Sequence, residues 1–382
     1  MKRFLTIFYY RDIGPQHLYK DVGSIPYALG KYYGWNSAFA YVNINGNIHN
    51  ESYEKVVKLI PIKHSGYPFL DVLYFLWKYS KQYDVLNFYH MNKRNFLLIF
   101  IAKLKKPYVR VYVKLDMDRS MYAAIMRKNT IWKRFIYRGV RICGLVPNLF
   151  TIETERYVKS LQNIPIFKNK IHLLPNGSWM GMEFSDLGND IDLMGKKQKI
   201  ILTVGRLGTK QKNTELLLDA FAHIPRNLRD NWLLVLVGDY TEEIKEKAQL
   251  MAGNDFSLSG RILFTGNITN KKILGKYYEK ALIFCLPSRW ESFGIALIEA
   301  MQYGDFPIVT NCCDAFEDIL DNPEIGTVVP NENSFLLTQA LKNAMNNPKE
   351  TQKRGLKAKL KAEKDYCWKN IVKKLNMYLN ER

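Results

Sequence analysis

In the stretch SRWESFGIALIEAMQYG, residues 288 to 304, two glutamates, Glu291 and Glu299, lie eight residues apart in an otherwise nearly apolar run. The preceding ALIFCLPS reads as a strand, so residues 288 to 292 are expected to form a strand-to-helix loop, with a helix starting near Phe293. Glu291 then stands in the loop and Glu299 inside the helix, roughly 8 to 10 Å along the axis from its start. The backbone amides of Phe293, Gly294 and Ile295 would form the helix N-terminus, a natural place for a phosphate, and Gly294 lets a ligand approach the main chain closely. A carboxylate, an anion site and a second carboxylate suit a molecule with hydroxyls at both ends and a diphosphate between, as in a nucleotide-sugar. A glutamate beside the helix dipole and a half-buried glutamate paired with a lysine account for the same spacing.

A second constellation bears on that choice. The strand KIILTVG runs into GRLGTKQKN, which places Arg206 and Lys212 at the mouth of the same set of loops. Two cations converging there can neutralise a leaving diphosphate without a metal. Taken alone, the segment also reads as an exposed basic loop.

The elements that must position these residues follow from periodicity. Short apolar, β-rich runs alternate with longer amphipathic ones, the pattern of βα units and a parallel sheet. In the first half, strands are expected at RFLTIFYY, SAFAYVNI, VLNFY, VRVYVKL, LFTIET and KIHLLP, with helices at 22–33, 68–82, 92–105 and 120–142. In the second half, strands are expected at KIILTVGR, NWLLVLVGD, RILFTG, ALIFCLPS and DFPIVT, with helices at 213–224, 241–252, 271–281, 293–303 and 334–346. Between the halves, residues 176–199 are polar and Gly-rich without a clear period and read as a linker. The expected domains are 1–180, then a linker at 181–199, then 200–365. The helical stretch near the C-terminus, within 366–382, can end the second domain or cross back onto the first. Two doubly wound α/β domains of this kind would face a central cleft, with ligands at the carboxyl ends of the strands.

Composition bounds the alternatives. The 382 residues, 47% hydrophobic and 24% charged, suit two globular domains and exclude a disordered chain. Five cysteines without a C-x-x-C pair argue against a disulfide framework or zinc site and fit a reducing cytoplasm. The apolar start, Phe4 to Tyr10, is broken by Arg11 and Asp12 too early for a signal peptide, and the run FLLIFIA is too short to span a bilayer. The net charge of +20 is uneven, with 28 Lys/Arg against 13 Asp/Glu in residues 1–190 and 28 against 23 beyond. Such a field attracts nucleic acid, anionic lipid or phosphorylated ligands.

Together the motifs resemble the retaining glycosyltransferases of family 4, of GT-B fold. The matching residues are GRL with Lys212 ahead of TELLLDAF, then LVLVGD, the PS of LPSRWESFG, the E-x7-E pair followed by QYGDFPIVT, and PNG at 175–177. The resemblance implies that Arg206 and Lys212 hold the donor diphosphate, Glu299 the ribose hydroxyls and Glu291 the donor sugar. Phe293, Gly294 and Ile295 would contribute amides, and Asn267 and Ile268 would lie in the base-recognition loop. Members retain the anomeric configuration, with the leaving phosphate accepting the acceptor's proton on the same face. The first half departs from the family. In place of its Gly-Gly after the first strand there are single glycines, Gly14 and Gly23, the latter a candidate for the donor site. In place of its histidine after the fourth strand the chain reads VYVKLDMDRS, leaving Lys114 or Asp116 available for that role, and His90 is a further candidate. Asp116-Met117-Asp118 forms a D-x-D, as do Asp190 and Asp192, but a pair this short arises readily by chance. No metal and no other cofactor is expected, because a diphosphate facing Arg206 and Lys212 needs none.

The segment 120–142 carries Arg127, Lys128, Lys133, Arg134, Arg138 and Arg141 without an acid, interleaved with Met126, Trp132, Phe135 and Tyr137. It reads as a membrane-surface helix. The stretch NKRNFLLIFIAKLKK has a similar character, and an ordinary sheet-covering helix with solvated lysines explains it too. The expected enzyme is therefore a cytoplasmic glycosyltransferase, peripheral on the inner face of the plasma membrane. It would pass sugar to a glycan or polyprenyl-diphosphate-linked acceptor in bacterial surface polysaccharide synthesis. The alternatives are another GT-B enzyme such as a sugar-nucleotide epimerase, and a basic nucleic-acid-binding protein, although no nucleic-acid motif is visible and no nucleic-acid partner is expected.

Overall fold

The apolar runs of the two halves build two separate parallel sheets in a computed structural model that describes residues 1–10, 13–117, 119–127, 146–179 and 196–381. The chain divides into Met1–Gly177 with Trp368–Arg382 as unit 1, and Ser178–Cys367 as unit 2.

Unit 1 holds β1 (Arg3–Phe8), β2 (Asn36–Asn43), β3 (Val57–Lys63), β4 (Val85–Tyr89), β5 (Arg110–Lys114), β6 (Leu149–Ile152) and β7 (Ile171–Leu173). Their order is β3-β2-β1-β4-β5-β6-β7. Central strands are continuous hydrophobic runs because both faces of a parallel sheet are covered, and β4 is buried at every position. β3 was not expected, because Pro61 interrupts its pattern. It forms at the sheet edge, where a residue without an N–H is tolerated and where Lys58 and Lys63 discourage further pairing.

The helices of unit 1 that matter below are α1 (Asp21–Tyr33), α2 (Pro68–Tyr79) and α3 (Lys93–Lys105). The long helix expected over 120–142 is described only as Arg119–Arg127. Its basic residues Lys128, Lys133, Arg134, Arg138 and Arg141 lie outside the described residues, as do Asp118, Asp190, Asp192 and most of the linker.

Unit 2 holds β8 (Ile200–Val204), β9 (Leu233–Val237), β10 (Ile262–Gly266), β11 (Ile283–Leu286), β12 (Phe306–Thr310) and β13 (Thr327–Val329), ordered β10-β9-β8-β11-β12-β13. Its helices include α4 (Thr214–Ala222), α5 (Lys271–Lys280), α6 (Ile295–Gln302) and α7 (Pro348–Asp365). Unit 2 begins before the expected linker ends. Ser178 donates its N–H to the Tyr366 carbonyl at 3.1 Å, Trp179 is buried, and Lys197 pairs with buried Asp305. The last helix, α8 (Trp368–Asn380), belongs to unit 1. It buries Trp368, Ile371, Val372, Leu375 and Leu379, packs against α1, and receives the Trp35 Nε1–H on Asn376 Oδ1 at 2.8 Å.

Strand order reverses between β1 and β4 in unit 1 and between β8 and β11 in unit 2. Open α/β sheets bind ligands at such reversals, outside the carboxyl ends of the strands.

Candidate functional site

Unit 2 places the expected donor residues at its own switch point. Gly205 and Arg206 follow β8, and Ser288 to Ser292 follow β11. The loops press together through glycines. Gly238, after β9, has φ +134°, and a Cβ there would lie 1.8 Å from the Gly205 carbonyl oxygen. Gln211 then links the two switch-point loops. It accepts from Arg206 at 2.7 Å, donates to the Trp290 carbonyl at 3.1 Å, and its own carbonyl accepts the Arg289 N–H at 2.7 Å.

Lys212 and Glu291, 79 positions apart in sequence, meet directly, with Nζ to Oε1 at 2.5 Å. The Ser288 hydroxyl donates to the same carboxylate at 2.7 Å. The pair is largely shielded, with side chains 17% and 10% exposed, so solvent screens it weakly. The sequence reading sent these residues to separate parts of a ligand, and the folded chain joins them to each other. Arg206 is exposed at the rim of the same loops.

The helix carrying the second glutamate starts two residues later than expected. Gly294, at φ +82° and ψ +57°, is its N-cap, and α6 begins at Ile295. The left-handed conformation at Gly294 explains the shift, since it breaks the helical path between Phe293 and Ile295. Phe293 points into the core, edge-on to Tyr366 with ring centroids 6.1 Å apart, so only its main chain is available to a ligand. Glu299 accepts from Lys271 Nζ at 3.0 Å and from the Tyr278 hydroxyl at 3.1 Å, which is the lysine-paired arrangement weighed as the simpler reading. Burial and the adjacent Glu299 carboxylate hold the Tyr278 phenol well above its ordinary pKa, which keeps it a donor. Lys271 opens α5 directly after the loop holding exposed Asn267 and partly buried Ile268, so Glu299 and that loop adjoin.

Unit 1 collects a second polar cluster at the carboxyl edge of its sheet. Lys114 closes β5 fully buried, 3.1 Å from Glu153 after β6 and 3.8 Å from Asp21 at the start of α1. Burial alone would lower the Lys114 pKa, but Glu153, Asp21, Tyr112 and Asp116 outweigh it and raise it. Burial likewise raises the Asp21 and Glu153 carboxyls, against the opposing pull of Lys114. Asn176 of the PNG turn donates to Glu153 at 3.4 Å. His90, after β4, stands at φ +60°, a conformation that costs a β-carbon residue roughly 1 to 2 kcal/mol and clusters at functional sites. Among the described residues its buried Nδ1 and the Asp116 Oδ1 lack a hydrogen-bond partner. Two orphaned polar atoms beside a strained backbone are the kind of feature a ligand completes.

The sequence reading named Lys114, Asp116 and His90 but missed Asp21 and Glu153. A carboxylate ending the buried run LFTIE was the available signal for Glu153. Gly23 has a packing reason: a Cβ there would meet the Leu18 main chain at 2.4 Å, and its carbonyl accepts the Tyr53 hydroxyl at 2.9 Å. Among the described residues no group of three His, Cys, Asp or Glu side chains could hold a metal ion.

Residues 190–361 match the family model for glycosyl transferases group 1. The chain is 26% identical over 223 residues to a Campylobacter jejuni protein, GalNAc-alpha-(1->4)-GalNAc-alpha-(1->3)-diNAcBac-PP-undecaprenol alpha-1,4-N-acetyl-D-galactosaminyltransferase, covering 58% of this chain and 55% of that one. It is 30% identical over 189 residues to the amylovoran biosynthesis glycosyltransferase AmsD of Erwinia amylovora, covering 50% of each. It thus spans about half the length of the curated relatives it matches. The solved structure of Anabaena Alr3699/HepE, in complex with UDP and glucose, superposes with a TM-score of 0.66 at 13% identity, over 99% of both chains. The chain has the GT-B fold, and its residues 190–361 are similar to glycosyl transferases group 1.

Proposed function

We propose that the protein is a retaining glycosyltransferase that moves a sugar from a nucleoside-diphosphate sugar to a glycan or lipid-linked acceptor in bacterial surface polysaccharide synthesis, without a metal. The observation that carries this reading is the position of Arg206, Lys212 and Glu291 at the switch point of the group 1 sheet, with Glu299 beside the 267–268 loop. Lys212 and Arg206 neutralise the diphosphate as the bond from the anomeric carbon to phosphate breaks. The bond to the acceptor oxygen forms on the same face, and the acceptor's proton passes to the departing phosphate oxygen. Glu299 takes the ribose hydroxyls and Glu291 the donor sugar. Unit 1 receives the acceptor around His90, Lys114 and Asp116, with the orphaned His90 Nδ1 and Asp116 Oδ1 as its polar contacts.

The lipid-linked acceptor draws on the undecaprenol-linked substrate in the name of the Campylobacter relative and on the basic character of the first half. No described helix is long and apolar enough to cross a membrane, and we place the enzyme peripherally on the inner face of the plasma membrane. Thermal unfolding with UDP, GDP, dTDP and CDP, each with and without EDTA, tests the donor site. Stabilisation by one of them that survives EDTA is expected, since a ligand binding only the native state raises its stability. No shift with any of them overturns the reading, and an epimerised sugar formed from the nucleotide-sugar without any acceptor marks a sugar-nucleotide epimerase instead.

A further inference from the structure

Helices α2 and α3 lie side by side on unit 1, and each is apolar on two opposite faces. Inward, α2 buries Val72, Phe75 and Leu76, and α3 buries Leu98, Ile99 and Ala102. Outward, α2 presents Leu70, Tyr74 and Trp77, and α3 presents Leu97, Phe100 and Leu104, all six between 39% and 64% exposed. The spacings i, i+4, i+7 and i, i+3, i+7 align each trio as one stripe. Lys105 Nζ of α3 sits 3.8 Å over the Trp77 ring of α2, so the stripes adjoin. A sheet-covering helix with solvated lysines has a polar outer face, and α3 does not. Apolar patches this contiguous on a soluble surface mark something that covers them.

The charge around the patch says what that is. Residues 66–108 contain seven Lys/Arg and two acids. Both acids are engaged locally, Asp71 with His64 and Ser65, and Asp84 with Lys106 and the Arg3 N–H. A second copy of the chain would bring two basic faces together, whereas an anionic lipid surface complements both the charge and the apolar stripe. Trp77, Tyr74 and Tyr67 supply the amphipathic rings that settle at headgroup depth. Tyr67 and Leu70 also line a cavity of about 510 Å³ whose other walls include Arg94, Tyr9 and Tyr10 at the carboxyl end of β1.

We infer that the α2–α3 face is the surface by which the protein docks on anionic phospholipid, with Leu97, Phe100 and Leu104 inserted at the boundary between headgroups and acyl chains and Trp77 at headgroup depth. The inference rests on the membrane-linked reading above but assigns it to these helices.

The test is co-sedimentation of the full chain with phosphatidylcholine vesicles, with and without phosphatidylglycerol, at low and high salt. The wild type is expected on the anionic vesicles only, less so at high salt. Leu97→Gln/Phe100→Gln/Leu104→Gln is expected to lower the partition at least about tenfold, since each lost apolar group forfeits a transfer contribution. Lys93→Glu/Arg94→Glu should lower it through charge alone and flatten the salt dependence. Stabilisation by a nucleoside diphosphate, measured alongside, should be unchanged in both variants. It reads the donor site independently and shows that the variants fold. Undiminished vesicle binding by the triple variant overturns the assignment, as does absence of wild-type binding at low salt. A wild-type dimer that the triple variant converts to monomer would overturn it too, by making the face a contact between copies.

Discussion

Replacing Glu291 with glutamine should tighten nucleoside-diphosphate binding while lowering turnover. Glu291 Oε1 accepts from Lys212 Nζ at 2.5 Å and from Ser288 Oγ at 2.7 Å, so part of the Lys212 charge is satisfied internally. A diphosphate must compete with this carboxylate for Lys212 and suffers its repulsion. Exposed ion pairs contribute about 0.2 to 1 kcal/mol, and removing one partner of a fully buried pair costs about 3 to 5 kcal/mol. With side chains 17% and 10% exposed this pair lies between, and about 1 to 2 kcal/mol is a fair value for its charge component. Glu291→Gln keeps shape and an acceptor oxygen but removes the charge. That 1 to 2 kcal/mol then moves to the ligand, making nucleoside-diphosphate binding about 5- to 30-fold tighter. The free protein should lose a similar amount of stability, a fall of a few degrees in Tm. Isothermal titration of wild type and variant at two salt concentrations measures both the gain and its ionic character. Unchanged or weaker binding by the glutamine variant would show that Lys212 does not hold the diphosphate, and would refute the reasoning.

Further expectations concern other residues. Glu299→Ala should weaken nucleotide binding about tenfold or more by removing a charged acceptor for the ribose, with Glu299→Gln intermediate, read by the same titration. Full affinity in the alanine variant would leave Glu299 as a structural partner of Lys271 and Tyr278 only. Lys114→Met strands Glu153 and Asp21 at a buried site and should destabilise unit 1 by about 3 to 5 kcal/mol in urea unfolding; a loss under about 1 kcal/mol would show the carboxyls to be neutral already. The Asp305 carboxyl is pushed up by burial from 3.8 to about 7, against the pull of Lys197. Between those pH values the folded state holds a proton that the unfolded chain gives up. Stability should therefore fall as pH rises through that window and level off above it. Asp305→Asn should flatten that slope in urea midpoints measured across the window, and an unchanged slope would place the titration elsewhere.

Much of this molecule was legible because periodicity is local. VLNFY is a strand at its expected limits, 85–89, and the helix expected at 334–346 spans Ser334–Asn346. Side chains along one strand or helix declare which face is buried without knowing what covers it. Where the covering element sets the pattern, the sequence is silent. α7, Lys-rich and nearly without large apolar groups, escaped notice because it packs through Thr351, Gly355, Ala358 and Ala362, with a Cβ at Gly355 only 2.2 Å from the Gly304 carbonyl oxygen. β13 is three residues long and is a strand only because β12 lies beside it.

The site divides in the same way. Residue types and spacing determined that Arg206, Lys212, Glu291 and Glu299 belong to loops and a helix at one end of a parallel sheet. Only the tertiary structure decided which of them touch. Lys212 joins Glu291 because β8 and β11 are neighbours across the switch point, and Lys271 joins Glu299 because α5 reaches α6. Asp21, Lys114 and Glu153 come from three separate βα connections and become one ion cluster only through strand order. Strand order in turn depends on which hydrophobic faces bury each other over long sequence separations, a property of the whole chain that no segment of it carries.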